Sequence, residues 1–459
     1  MKHTWIATGI ALVYGITTAY AATPVATQTM PHKTTQAWHT QNAQATQPKA
    51  QPASDNPNNP KPPLNQYGAV DVNADVPANV QVPPAPANFK PPVIKPEVQV
   101  WGNLVPAAPI LNAKSYLLMD ANTGRILVAY NANQRVAPAS LTKLMLLYIA
   151  EKELAAGRIH LNDELTVPTI AWATGGSRMF LKPGMQVTVQ QLIPGIIVDS
   201  GNDAAVTLAR HIAGTQQAFV SMMNHEAKRL GMTNTHFTDV MGLPAPYHFS
   251  SAHDMGVLAH AIVEDFPQYL PWFKQKSYTF NHIKQANFNK LLFIYPYADG
   301  LKTGSTDVAG YSLVSTAKQP DNPMRLIGVV MGAPSPMASA TQSKALLTYG
   351  FRFFKSQLMY TAGQTIQQAK VYFGAKQHIA IGLKKDLYAT YPNNPGQVLA
   401  AKLELPNIIK APIKKGQVLG KVVVTLNGKL VTSAPVVALE ADAKGSWWRR
   451  SVDHVKLWF

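Results

Sequence analysis

The sequence has no cysteine among its 459 residues. Disulfide bonds and lipid attachment through a thiol are therefore excluded, and core packing must supply the stability of the fold. The apolar stretch near the N-terminus is also short. It spans about a dozen residues, whereas a membrane-crossing helix needs about 20.

Acidic residues are few, with 24 Asp and Glu against 41 Lys and Arg, which gives a formal net charge of +17. Such a charge suits work near an anionic surface or polymer. The basic residues are dispersed and form no recognised nucleic-acid motif, so we predict no nucleic-acid partner. His253 and His260 are seven residues apart, but no H-E-x-x-H accompanies them, so we predict neither metal nor cofactor.

The N-terminal part of the chain is predicted to contain a targeting signal followed by a linker, and no folded domain. Residues 1–21 combine Lys2 and His3 with an apolar stretch and a small-x-small pattern, Ala19-Tyr20-Ala21, which predicts a cleaved signal peptide. Residues 22–104 are rich in Pro, Gln, Asn, Thr and Ala and have few large apolar side chains. Such a segment buries too little surface to offset its ordering entropy, so we predict a disordered linker.

Three short motifs follow in fixed order: Ser140-Leu141-Thr142-Lys143, Ser200-Gly201-Asn202 and Lys302-Thr303-Gly304. Each is weak alone, since Ser315-Thr316-Ala317-Lys318 also fits S-x-x-K and Ser54-Asp55-Asn56 fits S-D-N. Context decides between the matches. Ser315 lies in a β-rich stretch, where residues three apart point to opposite faces, and Ser54 lies in a Pro/Asn tract.

Ser140 and Lys143 have the spacing of a nucleophile and its base. An apolar run from Leu144 to Ala150 predicts a helix over residues 140–156, and residues three apart share a helix face. Partial burial and the charge of Lys302 would lower the pKa of Lys143, which could then take the Ser140 proton. The motifs therefore indicate serine acyl transfer.

The second and third motifs supply the remaining parts of such a site. Ser200 can relay a proton between Lys143 and a leaving amine, and the Asn202 amide can hold a substrate carbonyl. Residues 299–305 predict an edge strand that pairs with an extended peptide. Gly304 allows close approach, and Lys302 with Thr303 offers a cation and a hydroxyl to a terminal carboxylate.

At this point the sequence resembles the penicillin-recognising serine D,D-peptidases, in particular the low-molecular-mass D-alanyl-D-alanine carboxypeptidases. The resemblance rests on the three motifs and on several longer stretches, namely residues 114–120, 137–143, 179–184, 200–205, 234–237 and 299–311. It implies removal of the terminal D-alanine from peptidoglycan pentapeptide stems through an acyl-enzyme on Ser140, and covalent inhibition by β-lactams.

The resemblance also implies an oxyanion hole made by the backbone amides of Ser140 and Ser305. Relatives often carry His at the position of Ser305, a departure that affects pH dependence and deacylation. No E-x-x-L-N stretch lies between Asn202 and Lys302, so efficient β-lactamase activity is not expected. Two alternatives stay open: a D,D-endopeptidase that cuts crosslinks, and a slow-turnover penicillin-binding protein with a role in cell shape.

The resemblance implies an α/β catalytic domain over residues 105–360, with an antiparallel sheet flanked by helices and a helical subdomain from about Leu141 to Leu258. Residues 361–445 change to short β-branched runs, and Asn427-Gly428 between two of them predicts a hairpin in a small β-rich domain.

Residues 446–459 predict an amphipathic helix that lies on a membrane surface, with Arg449, Arg450, Asp453 and Lys456 on its polar side. Its predicted anchor residues are Trp447, Trp448, Val452, Val455, Trp458 and Phe459. A helix docked on its own domain is the alternative. With the signal peptide, the pattern predicts a periplasmic protein peripherally attached to the outer face of the cytoplasmic membrane.

Overall fold

The computed structural model describes residues 97–98 and 104–458. The predicted signal peptide, nearly all of the predicted linker and Phe459 lie outside the described residues. Glu97 and Val98 form a short strand, so the sheet extends into the range predicted as linker.

The first part of the chain alternates between a sheet and a helical region. Its strands are β1 (Glu97–Val98), β2 (Ser115–Asp120), β3 (Arg125–Tyr130), β4 (Glu164–Thr166), β5 (Gln186–Thr188), β6 (Ser277–Phe280), β7 (Ile283–Ala286), β8 (Ala298–Thr306), β9 (Gly310–Lys318) and β10 (Arg325–Ala333). Its helices are α1 (Lys143–Ala155), α2 (Thr169–Trp172), α3 (Val189–Ile197), α4 (Asn202–Ala213), α5 (Gln216–Arg229), α6 (Ala252–Asp265), α7 (Leu270–Phe273), α8 (Leu291–Ile294) and α9 (Pro336–Phe353). Two 3-10 turns span Ala139–Thr142 and Pro267–Tyr269.

Six antiparallel strands form the central sheet in the order β1-β3-β2-β10-β9-β8. Both faces are buried because successive side chains point into two different cores. In β2, Leu117 packs in the core shared with α1 and α6, whereas Leu118 packs in the core on the other face, with α9. The predicted antiparallel sheet with helices on both faces is confirmed.

Helix α1 runs through the middle of the helical region, and every residue from Lys143 to Glu151 is at most 1% exposed. This burial matches its near-continuous apolar sequence. Its start differs from the prediction, since Ser140 lies in the 3-10 turn and the α-helix begins at Lys143.

The second part of the chain is β-rich, as predicted. Its elements are β11 (Phe354–Tyr360), β12 (Gln367–Lys370), β13 (His378–Gly382), β14 (Leu387–Pro392), β15 (Leu399–Glu404), β16 (Val418–Leu426), β17 (Lys429–Ala438) and α10 (Trp447–Lys456). Strands β11 and β14 pair, and the other five form a sheet in the order β12-β13-β17-β16-β15. The predicted hairpin is present: Asn427 and Gly428, both at positive φ, connect β16 to β17.

Helix α10 docks on the β-rich domain through its polar side. The Asp453 carboxylate accepts a hydrogen bond from the backbone N–H of Phe373 (2.7 Å), and Arg449 donates one to the carbonyl of Ala375 (2.7 Å). The opposite side is open, with Trp448 73% exposed and Val455 61% exposed, and Trp458, just beyond the end of the helix, is 90% exposed. The helix is therefore docked, as the alternative expected, while its apolar face is not buried by any residue in the described part of the chain. Among the described residues, no helix is both long and apolar enough to cross a membrane.

A buried carboxyl in α1 gives a stability prediction. Glu151 is fully buried, neither of its oxygens has a hydrogen-bond partner in residues 97–98 and 104–458, and burial raises its pKa well above the ordinary value. The unfolded chain ionises this carboxyl at a lower pH than the folded chain does, so the group destabilises the fold increasingly as pH rises past the unfolded pKa. We expect Glu151→Leu to raise the free energy of unfolding by about 2 kcal/mol at pH 8 and by less at pH 4.5.

Glu153 on the same helix provides the matched control, because its carboxylate pairs with Arg158. Glu153→Leu removes that ion pair and should not raise stability at either pH. Urea unfolding at both pH values measures the two effects. A loss of stability in Glu151→Leu at pH 8 would contradict this account of Glu151.

Candidate active site

The 3-10 turn before α1 brings the first motif together. Lys143 Nζ donates a hydrogen bond to Ser140 Oγ (2.8 Å) and another to the carbonyl of Met241 (3.1 Å). Ala139, directly before Ser140, has a φ of 49°, a left-handed conformation that is costly for a non-glycine residue. Ser140 is thus held at a strained corner, with its oxygen against the amine of Lys143.

Lys143 is fully buried, and burial lowers its pKa from 10.5 to about 7. The negative charges of Asp239 and Asp203 oppose this shift. Of the two predicted causes, partial burial and the charge of Lys302, burial is the one that lowers the pKa of Lys143. A buried amine with this pKa is about half neutral at pH 7, and its neutral form can accept a proton.

The second and third motifs meet beside this pair. Lys302 Nζ donates to Ser200 Oγ (3.0 Å) and to the carbonyl of Thr303 (3.1 Å). Ser200 lies at a φ of 54°, again in the left-handed region. Burial lowers the pKa of Lys302 well below its ordinary value, and the nearby charge of Lys143 lowers it further. Each motif serine therefore contacts one buried motif lysine.

Asp199, next to Ser200, is an acidic residue of the site that the motifs did not predict. It is 1% exposed, and its Oδ1 has no hydrogen-bond partner within the described ranges. Burial raises its pKa to about 7, with Asp203 adding to the shift and Lys302 opposing it. The site therefore contains one amine, that of Lys143, and one carboxyl, that of Asp199, whose pKa values both lie at about 7.

Asn202 holds the loop that borders the site. Its side-chain Nδ2 donates to the carbonyl of Gly175 (2.6 Å), and its backbone N–H donates to the carbonyl of Ser177 (2.8 Å). A Cβ on Gly176, at a φ of 79°, would lie 2.8 Å from Asn202 Nδ2, so the loop needs glycine there. The carboxylate of Asp203 extends this anchoring by accepting the backbone N–H groups of Met179 and Leu181.

Strand β8, which carries the third motif, lies at the edge of the central sheet, as predicted. In the described part of the chain it pairs with β9 only. A Cβ on Gly304 would lie 2.8 Å from the carbonyl oxygen of Pro138 and 3.0 Å from the backbone nitrogen of Ser140. Gly304 thus permits β8 to pack against the turn of the nucleophile. This contact brings Ser305 and Ser140, the predicted oxyanion-hole residues, to the same cavity.

The motif residues Ser140, Ser200, Thr303 and Gly304 open into a cavity of about 370 Å³. The motif residues Lys143, Asn202 and Lys302 are buried and are not part of its lining. Its lining residues are Ser140, Ser177, Ser200, Phe288, Lys290, Thr303, Gly304, Ser305, Tyr311, Ser312, Pro336 and Ser339. Phe288 and Lys290 alternate with the buried Asn287 and Asn289, whose side chains hold the segment by backbone hydrogen bonds. No motif marks this wall, although the alternation of Asn with Phe288 and Lys290 is visible in the sequence.

The two other serine matches lie away from this chemistry or outside the described residues. Ser315, in β9, donates a hydrogen bond to the carbonyl of Gly328 (3.0 Å) and is part of the sheet. Ser54 lies outside the described residues. His253 contacts Asp254 and His260 contacts Glu264, both in α6, and no group of His, Asp and Glu within the described ranges could hold a metal ion.

Comparisons with known proteins match both parts of the chain. The family model for D-alanyl-D-alanine carboxypeptidase matches residues 103–335, and the model for the C-terminal domain of penicillin-binding protein 5 matches residues 354–444.

Individual relatives are similar over most of their length. The D-alanyl-D-alanine carboxypeptidase DacA of Escherichia coli (strain K12) is 41% identical over 364 residues, which are 78% of this chain and 90% of the relative. DacC of the same strain is 42% identical over 360 residues, 77% of this chain and 90% of the relative. The structure of penicillin binding protein 5 from Haemophilus influenzae covers 74% of this chain and 100% of its own, with 41% identity and a TM-score of 0.69.

Proposed function

Because the chain belongs to the family of serine-type D-alanyl-D-alanine carboxypeptidases, we propose that it trims the terminal D-alanine from peptidoglycan pentapeptide stems through an acyl-enzyme on Ser140. The observation that carries this assignment is the 2.8 Å contact between Ser140 Oγ and the buried amine of Lys143. A serine hydroxyl becomes a nucleophile only when a base takes its proton, and a lysine whose pKa is about 7 is such a base.

In the proposed reaction, neutral Lys143 accepts the proton of Ser140 as Oγ attacks the carbonyl of the penultimate D-alanine. The backbone N–H groups of Ser140 and Ser305 stabilise the oxyanion. The bond to the terminal D-alanine breaks, and its amine takes the proton from Lys143 by relay through Ser200. Water then attacks the ester carbonyl while Lys143 accepts its proton. The bond between that carbon and Ser140 Oγ breaks, Oγ regains a proton, and the shortened stem leaves with a free carboxylate.

We further propose that β8 binds the stem peptide as an added strand, since one edge of β8 has no strand neighbour among the described residues. Lys302 and the hydroxyl of Thr303 would receive the terminal carboxylate. The Asn202 amide, which donates to the carbonyl of Gly175, would hold a substrate carbonyl. A penicillin reacts in the same way, because opening its lactam ring leaves an ester on Ser140.

Free D-alanine release from a pentapeptide ending in D-Ala-D-Ala tests this function, measured on protein that lacks residues 1–21. Release with many turnovers supports the carboxypeptidase. Cleavage of a crosslinked dimer without release from the pentapeptide would support an endopeptidase. Stoichiometric labelling by a fluorescent penicillin without turnover of either substrate would support a slow-turnover binding protein.

The exposed apolar face of α10 supports attachment to a membrane surface, and we include this in the proposal together with secretion by residues 1–21. Trp447, Trp448 and Val455 are each more than 60% exposed. The polar side of α10 is held by the β-rich domain through Asp453 and Arg449, which leaves the apolar side free to enter a lipid interface. The protein would then sit peripherally on the outer face of the cytoplasmic membrane.

Removing that face should abolish vesicle binding. We expect the triple variant Trp447→Ser, Trp448→Ser, Val455→Ser to reduce partitioning onto phosphatidylglycerol-containing vesicles more than tenfold in a sedimentation assay. The matched control replaces exposed apolar residues elsewhere in the same domain, Val418→Ser with Leu430→Ser, which are 58% and 60% exposed. Equal vesicle binding by the triple variant and the wild type would show that α10 is not the anchor.

A further inference from the structure

A buried polar cluster lies behind Lys143, and two of its three residues belong to none of the three motifs. It contains Asp239 and His248, which are 4% and 5% exposed, and Thr142, which is fully buried. We call these three residues the Asp239 cluster. Polar side chains are rarely buried together unless they are paired, so each contact in the cluster has structural meaning.

Asp239 shapes the turn that contacts the amine of Lys143. Its Oδ1 accepts hydrogen bonds from the backbone N–H groups of Met241 and Gly242, each at 2.6 Å. The carbonyl of Met241, fixed in this way, accepts the hydrogen bond from Lys143 Nζ at 3.1 Å. The Asp239 carboxylate therefore orients the Met241 carbonyl, which in turn orients the amine of Lys143.

The same turn also supports the nucleophile. Gly242 has a φ of 89°, and a Cβ there would lie 1.8 Å from the carbonyl oxygen of Ala139. The turn thus packs directly against the residue before Ser140, at the strained corner described above. A displacement of the turn would move Ser140 as well as Lys143.

His248 connects the turn to the 3-10 segment that carries the nucleophile. Its Nδ1 lies 3.5 Å from Asp239 Oδ2 and 3.0 Å from the hydroxyl of Thr238. Its Nε2 lies 2.8 Å from the hydroxyl of Thr142, which stands between Ser140 and Lys143 in the chain. The cluster therefore ties the turn to the base and to the nucleophile segment by two separate routes.

We propose that Asp239 is the positioning residue of the Ser140–Lys143 pair, holding the Met241 carbonyl against Lys143 and, through His248, the segment that carries Ser140. The proposal rests on the proposed function. Asp239 touches neither reacting atom in this arrangement, and its role is to fix geometry and to place a negative charge behind the amine.

The charge of Asp239 makes the role measurable. Burial would raise the pKa of Asp239, but the His248 ring and the two N–H donors outweigh burial and leave the pKa below its ordinary value. Asp239 is thus ionised at neutral pH. Three other charged groups act on the two lysines of the site. Asp203, in α4, stabilises the ammonium of Lys143. The ammonium groups of Lys143 and Lys302, in β8, repel each other, and the negative charge of Asp199 raises the pKa of Lys302.

The test is the pH profile of acylation by a fluorescent penicillin in Asp239→Asn. The amide oxygen can still accept both N–H bonds, so the turn is kept while the charge is lost. Without that charge the ammonium of Lys143 is less stable, so we expect the acid limb of the profile to move down by about one pH unit. Thr142→Val, which removes the contact with His248, should slow acylation about tenfold without moving the limb.

Asp120→Asn is the matched control, because Asp120 is also fully buried and also accepts a backbone N–H, from Asn122, but at the junction of β2 with β14. It should leave the limb in place. If wild-type acylation has an acid limb that Asp239→Asn does not move, and both cluster variants acylate within twofold of wild type, the positioning role is wrong. If the wild type is not acylated at Ser140 at all, the proposed function itself fails.

Discussion

Replacing Ser140 with alanine is expected to lower kcat/KM for D-alanine release by at least about a thousandfold and to abolish covalent labelling by penicillin. The reason is that the acyl group has no other acceptor in the proposed reaction: Ser200 faces Lys302, and Lys143 serves as a base. Circular dichroism should be unchanged, because alanine occupies less volume at the strained corner.

Ser315→Ala is the control that the chain itself provides, since Ser315 begins the second S-x-x-K match but bonds to the sheet carbonyl of Gly328. We expect its activity to stay within threefold of wild type. Ser140→Ala that still releases D-alanine at more than a tenth of the wild-type rate would remove Ser140 from the role of nucleophile.

Replacing Lys143 with methionine should reduce activity by a similar factor, but it should also change the pH dependence of acylation. Methionine fills the fully buried position of Lys143 without an amine, so we expect acylation by penicillin to fall about a thousandfold while the protein stays folded and Tm does not fall. The wild-type acylation rate should rise with pH through about 7, where Lys143 loses its proton. The residual rate of the variant should lack that step.

Lys152→Met tests whether the loss is specific to position 143. Lys152 lies on the same helix, with a half-exposed side chain that pairs with Glu226. The acylation rate of the Lys152→Met variant and the pH profile of that rate should match those of the wild type. Stopped-flow measurement of acylation between pH 5 and 9 separates the three proteins, and a Lys143→Met variant with an unchanged profile would contradict Lys143 as the base.

Much of this arrangement could be predicted from the sequence because it depends on local patterns. The apolar run after Lys143 indicated a buried helix, the Asn427-Gly428 pair indicated the hairpin between β16 and β17, and β-rich context separated Ser315 from Ser140. Motif order and spacing were enough to predict that Ser140, Ser200 and Lys302 lie in one site.

The remaining features depend on tertiary contacts that have no sequence period. Asp239 and His248 reach the nucleophile segment across about a hundred residues, and nothing in their spacing marks a buried pair. Left-handed φ angles at Ala139 and Ser200 are imposed by packing rather than by residue type. For α10, periodicity identified an apolar side and a polar side, but only the structure showed that the polar side is the docked one.

Peptide mapping by mass spectrometry after reaction with a penicillin tests the central claim most directly. We predict one adduct per chain, on the peptide that contains Ser140, formed more slowly below pH 7. An adduct on a peptide containing Ser200 or Ser315 instead, or D-alanine release from a pentapeptide without any serine adduct, would contradict it.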